Sequence, residues 1–198
     1  MDYQFEGVKI YAIGKISQNG WRNRLFPIVD WLDNCQEPGE TPWPDEMKIR
    51  DLPGAVYVGP HFLSDDHGCY HGANAHGVSA GGAACGDAYP GLSRPEVAQR
   101  CLAAIGRATH IFGWIDEPSA YGSLVELGYA RALGKQTHVY MCDERPDLAD
   151  LWFAGQVAHG HVWVKDADVA WADFKLRLSA TRVMTDRHRP VRVRLPQP

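Results

Sequence analysis

The sequence predicts an α/β protein built on a doubly wound parallel sheet of about five strands, and three observations predict it. Short apolar runs rich in β-branched and aromatic residues recur along the chain, at 8–13, 55–58, 110–115, 136–141 and 161–164. Segments with apolar residues at helical spacing stand between most of them, the pattern of helices that cover a sheet on both faces. Turn residues punctuate the alternation: Gly14 ends the first run, Gly59-Pro60 the second, and Gly134 stands just before the fourth.

Each element has its own local reason. The strand 8–13 is followed by a helix over about 21–32, with Leu25, Ile28, Val29 and Leu32 on one face. Residues 34–53 are rich in Pro, Glu and Asp and read as a surface excursion before the strand 55–58. Ser93 and Glu96 have capping-box spacing, and Pro95 suits the first turn of a helix running to about Arg107. After the strand 110–115, a helix starts near Tyr121 and stops at Gly134, a C-terminal capping glycine. The strand 136–141 leads to a helix over 146–157 and then to the strand 161–164. A covering helix over 169–180 carries Trp171, Phe174, Leu176 and Leu178. These elements make one domain, residues 1–181, with an insert at about 59–92 and a basic tail at 182–198 that reads as solvated or packed on a partner.

Composition narrows the function classes. The chain has 198 residues, enough to bury a sizeable core, and is 45% hydrophobic and 22% charged, as globular domains are. No apolar run approaches the ~20 residues of a membrane-spanning helix, so no membrane association is expected. A net charge of -4 argues against nucleic acid as a partner. Five cysteines without a C-x-x-C pair, and a start that lacks the build of a signal peptide, lead us to expect a cytoplasmic protein.

The chemistry concentrates after the strand 110–115. Ligands of an open parallel sheet sit beyond the carboxyl ends of its strands, so Asp116 faces that crevice. The loop 117–121 then enters a helix whose first turns hold Gly122, Ser123 and Glu126. Gly122 lets the backbone approach a ligand, and the free N–H groups of a helix start favour an anion. The same field is expected to keep the Glu126 carboxylate ionised, as a nucleophile requires. Asp116 and Glu126 would then converge on one ligand and divide proton-handling and attacking roles.

The run Gly122-Ser123-Leu124-Val125-Glu126-Leu127-Gly128-Tyr129-Ala130-Arg131-Ala132-Leu133-Gly134-Lys135, preceded by a strand and Asp116, resembles the signature of the nucleoside 2-deoxyribosyltransferase-like superfamily. The first strand with Tyr11 and Gly14 is similar to that family's opening strand, and 55–60 resembles its Tyr-x-x-Gly-Pro type of strand end, with one residue fewer between Tyr57 and Gly59-Pro60. The resemblance covers the first strand and about 108–141. It implies a Rossmann-like (flavodoxin-like) domain that cleaves or transfers at the N-glycosidic bond of a nucleoside or nucleotide. It makes Glu126 the nucleophile on the anomeric carbon, Tyr11 its neighbour and Asp116 a base-binding or proton-handling group. Retention through a covalent ester would follow the logic of retaining glycosidases.

Further substrate contacts are expected from Gly14, Gly59, Pro60, Gly122 and Ser123, with Lys15, Arg22 and Arg24 as candidates to hold a phosphate. No cofactor is implied. The family's neighbouring subunit completes the pocket, which points to a homo-oligomer, with Trp152 and Phe153 read either as part of that interface or as packing of the domain core. The chain departs from the family where its members carry an Asp that helps hold the base: here Ala120 stands in that place. That departure keeps a non-catalytic nucleotide-binding sensor or effector as an alternative, and Toll/interleukin-receptor-like relatives that cleave NAD supply another. The Pro-Gly-Gly loop of phosphoribohydrolases is absent, since Pro118-Ser119-Ala120-Tyr121 takes its place.

The Gly- and His-rich insert has no clear period, and long loops of that kind are usually functional or tied down. His67, Cys69 and His71 alternate along it, with His76 or Cys85 as a fourth group, and together they supply zinc-type ligands. Their spacing is not a familiar structural zinc pattern, so the expectation is no metal, with a substrate or lid role for the insert.

Overall fold

The computed structural model describes residues 5–15, 21–26, 46–60 and 94–187. In chain order the elements are β1 (Lys9–Ile13), α1 (Trp21–Leu25), β2 (Met47–Lys48), β3 (Val56–Gly59), α2 (Arg94–Arg107), β4 (His110–Ile115), α3 (Tyr121–Ala132), β5 (Gln136–Cys142), a 3-10 segment (Pro146–Leu151), α4 (Trp152–Val157), β6 (Gly160–Val164) and α5 (Ala167–Arg187). The five long apolar runs are all strands. They pair in parallel, β3 with β1, β1 with β4, β4 with β5 and β5 with β6. The short β2 pairs antiparallel with β3, so the sheet is mixed and has six strands in the order β2-β3-β1-β4-β5-β6, rather than about five all parallel.

Helices lie on both faces, as the near-continuous burial of β1 and β4 requires. α2 and α3 pack on the face that carries Tyr11, α4 beside β6, and α1 and α5 contact each other on the opposite face. That opposite face is aromatic. Phe112 of β4 meets Trp171 at 5.3 Å, Phe174 at 5.4 Å and Trp21 at 5.6 Å between ring centroids, in edge-on or tilted contacts. Trp171, Phe174 and Leu178 are buried along one stripe of α5, whereas Leu176 is 69% exposed. Its position, two residues from Phe174 and from Leu178, turns it to the solvent side.

Other local expectations meet the structure with differences of detail. α3 ends in a Schellman motif: Gly134, at φ 72°, donates to the Arg131 carbonyl at 3.0 Å, and Lys135 to that of Ala130 at 3.0 Å. The expected helix over 146–157 divides into the 3-10 segment and α4. α5 continues to Arg187, so the first residues of the expected tail prolong the helix. The rest of the tail, most of the insert, Ser93 of the capping box and Ile28, Val29 and Leu32 lie outside the described residues. No helix among the described residues is long and apolar enough to cross a membrane.

One consequence of this packing is a pH dependence of stability. His110 opens β4 under Phe174 and beside His138, and its ring meets the Thr109 hydroxyl at 2.8 Å. Desolvation, then the neighbouring His138, lowers its pKa from 6.5 to about 4. The unfolded chain therefore takes up this proton first, and stability is expected to fall as pH drops from 6.5 toward 4. Urea midpoints measured across that window check this, and a His110→Asn variant is expected to flatten the slope.

Candidate functional site at the sheet's switch point

β1 has β3 on one side and β4 on the other, so the connections from its carboxyl end diverge and leave a crevice there. Gly14 permits this closeness: at φ 147°, a Cβ on it would stand 2.3 Å from the Trp114 carbonyl oxygen. β1 also presents Tyr11 toward α2 and α3, fully buried, with its ring against Gly59, where a Cβ would stand 3.2 Å away. The Gly59-Pro60 bond is cis, and the Pro60 carbonyl accepts a hydrogen bond from Tyr57 at 2.6 Å. Gly59 thus packs against the ring of Tyr11, and Pro60 anchors the Tyr57 hydroxyl.

The Tyr11 hydroxyl donates to Glu126 Oε1 at 2.5 Å, joining residues 115 positions apart. Glu126 is the sixth residue of α3, in its second turn, with no acidic residue in the first. A helix-end field fades within one turn, so the expected electrostatic support from the helix start does not reach it. Burial instead raises the Glu126 carboxyl above its usual range, against the opposing effects of the Tyr11 hydrogen bond and the Arg22 charge. Burial and the Glu126 charge likewise push the Tyr11 phenol well up, so it stays a proton donor.

Asp116 follows β4 directly and accepts a hydrogen bond from Trp114 Nε1 at 3.2 Å. Burial raises its carboxyl too, against the Trp114 hydrogen bond and Arg22. Its carbonyl accepts from Arg145 Nη1 at 3.0 Å, which fixes the loop after β4. Lys15 spans the mouth of the crevice to Glu117, and meets the Ser119 hydroxyl at 3.0 Å. Gly122 is exposed, with nothing near a Cβ built on it, while Ser123 is buried and donates its N–H to the Ala120 carbonyl at 3.0 Å. Ala120 is itself buried at the head of α3.

Arg22 takes a different place from the expected one. It is 8% exposed, and its guanidinium donates to the carbonyls of Ala12 (3.1 Å from Nη2), Gly14 (2.6 Å) and Lys15 (2.9 Å), so it is turned into the protein. Arg24 pairs with Asp168 at 2.7 Å on the surface. Sequence reasoning missed Cys101 of α2, buried beside Tyr11 and Glu126, with its thiol pushed up to about 12 by burial and by Glu126. Nothing in the local sequence of α2 marks it, because its neighbours come from β1 and α3.

The candidate zinc ligands His67, Cys69 and His71 lie outside the described residues, with His76 and Cys85. Among the described residues, no group of three or more His, Cys, Asp or Glu side chains is arranged to hold a metal. An apolar groove of about 290 Å³ lies between α3 and α4, lined by Leu124, Leu127, Gly128, Leu151, Phe153 and Val157. It opens on the side of α3 away from Glu126, as helical periodicity dictates.

What fold and site define together is a class: an α/β protein with a tyrosine–carboxylate pair at the switch point of a largely parallel sheet. No family model, curated protein or solved structure matches the chain.

Proposed function

We propose that this protein cleaves or transfers the N-glycosidic bond of a nucleoside or nucleotide, with Glu126 as the nucleophile. The observation that carries this is the 2.5 Å hydrogen bond from Tyr11 to Glu126 Oε1 beside the crevice. Tyr11 orients one carboxylate oxygen and leaves Oε2 for the anomeric carbon. Attack forms the C1′–O ester bond and breaks the C1′–N bond, whose electron pair leaves on the base. Asp116, in its acid form, supplies the proton to the departing base nitrogen, and burial raises its carboxyl in the direction this role requires. Water or an acceptor base then attacks C1′, the ester opens, and Glu126 returns as carboxylate while Asp116 recovers a proton.

The fold gives this reading further support. Without β2, the parallel strands follow the order second, first, third, fourth, fifth, one of the two common doubly wound orders. The resemblance of 122–135 to the nucleoside 2-deoxyribosyltransferase-like signature points to the same bond. The test is a panel of nucleosides, nucleoside monophosphates and NAD, with chromatographic detection of free base. Release from one of them is expected. A parallel reaction with a second free base separates transfer, which yields an exchanged nucleoside, from hydrolysis. Nucleotide binding without release of base would instead favour a sensor, the role that Ala120 at the head of α3 brings into view.

Assembly of copies is part of the same proposal. Trp152 and Phe153 are each 65% exposed and stand edge to face at 5.7 Å, next to the apolar groove. Paired subunits would cover this surface. Light scattering is expected to give a multiple of the monomer mass, and Trp152→Ser with Phe153→Ser to reduce it; a wild-type monomer would contradict the assembly.

A further inference from the structure

Arg22 is a buried cation whose bonded partners at β1 are all neutral. Among the described residues its guanidinium makes no ion pair with a carboxylate, and the carbonyls of Ala12, Gly14 and Lys15 hold it in place. The Trp21 ring lies 4.3 Å from its central carbon and shields it from water. Charge buried in this way is costly unless other charge compensates it.

Of the groups that interact with Arg22 through space, Tyr57 of β3 and Tyr11 of β1 keep their protons and Asp116 after β4 is the proposed acid, which leaves Glu126 of α3 as the group whose charge compensates it. Glu126 in turn faces Tyr11, Cys101 of α2, Tyr57 and this one guanidinium. The backbone bonds keep the charge at a fixed place at the end of β1. One side leads through Tyr11 to Glu126, and the other through the Gly14–Trp114 contact to Asp116. An arginine suits this duty, because its planar fork serves several carbonyls at once and does not lose its proton.

We propose that Arg22 is a positioning residue, a fixed internal counter-charge that keeps Glu126 as a carboxylate in the buried pocket, rather than a contact to the substrate's phosphate. Its catalytic weight rests on the proposed role of Glu126. The electrostatic link itself is measurable without turnover.

The experiment titrates Glu126 by carbon NMR of protein labelled at the glutamate carboxyls, with Glu126→Gln assigning the signal. Wild type, Arg22→Lys and Arg22→Met are compared. The Met variant is expected to shift the Glu126 midpoint upward by at least one pH unit, about a tenfold change in proton affinity. The Lys variant, which keeps the charge, is expected to recover most of that shift. Urea midpoints supply the second measurement: Arg22→Met is expected to cost less stability in a Glu126→Gln background than in wild type. A Met variant that folds only in that background also supports the link. Equal penalties in both backgrounds, including failure to fold in both, would overturn it, as would an unmoved midpoint. Loss of base release with an unmoved midpoint would speak against Arg22 alone. A moved midpoint in a protein that releases no base would speak against the proposed reaction alone.

Discussion

Glu126→Gln is expected to abolish base release, lowering turnover by ~10³-fold or more, while the fold stays intact. Gln keeps the shape and an oxygen that still accepts the Tyr11 hydrogen bond, so orientation survives and the negative charge alone is lost. The variant is also expected to be more stable than wild type near neutral pH. Burial raises the Glu126 carboxyl, so its folded pKa lies above the unfolded one. Such a group contributes stability below its unfolded pKa and loses it as pH rises through the folded value. At neutral pH the wild type therefore carries the penalty of a buried charge, which Gln removes. Activity runs the other way: the attacking form is the carboxylate, so the acid limb of the rate profile is expected above the ordinary Glu value. Comparing urea midpoints and base release of the two proteins checks both. A Gln variant that releases base at the wild-type rate would remove Glu126 from the mechanism.

Gly14→Ala is expected to have the largest effect on stability of any single methyl group near the site, about 3 kcal/mol. The new Cβ would meet a backbone oxygen of β4 at 2.3 Å and the Trp21 ring at 2.8 Å, at a φ of 147° that side chains rarely adopt. Backbone cannot rotate away as a side chain can, so β1 and β4 must separate where their ends form the crevice. Gly122→Ala is the control. Nothing lies within 4 Å of the added carbon there, and its stability change is expected within about 1 kcal/mol. Thermal or urea denaturation of the two variants reads the difference.

The parallel strands were legible because strands buried on both faces read as nearly unbroken apolar runs, and the end of α3 because Gly134 is a local capping signal. β2 was not legible: two residues in a Pro- and Glu-rich segment carry no period, and its pairing with β3 is what makes it a strand. At the site, Tyr11, Asp116 and Glu126 stood out by type and by place relative to strand ends. The state of Glu126 did not. Helix position suggested a carboxylate favoured by the helix end, yet burial under β1 and α2 raises its pKa, and burial is a sum over distant elements. Arg22 is the same lesson in reverse. A basic residue at a helix start suggests a phosphate, and only the path of β1 reveals the three carbonyls that take its donors.

The central claim, attack by Glu126 on an anomeric carbon, is tested most directly by the configuration of the released sugar. Proton NMR of the reaction with a β-nucleoside, recorded before the product mutarotates, reads it. Two displacements at C1′ predict a product that first appears as the β anomer. A product that first appears as the α anomer, or neither released sugar nor base exchange with any substrate in the panel, would contradict the account.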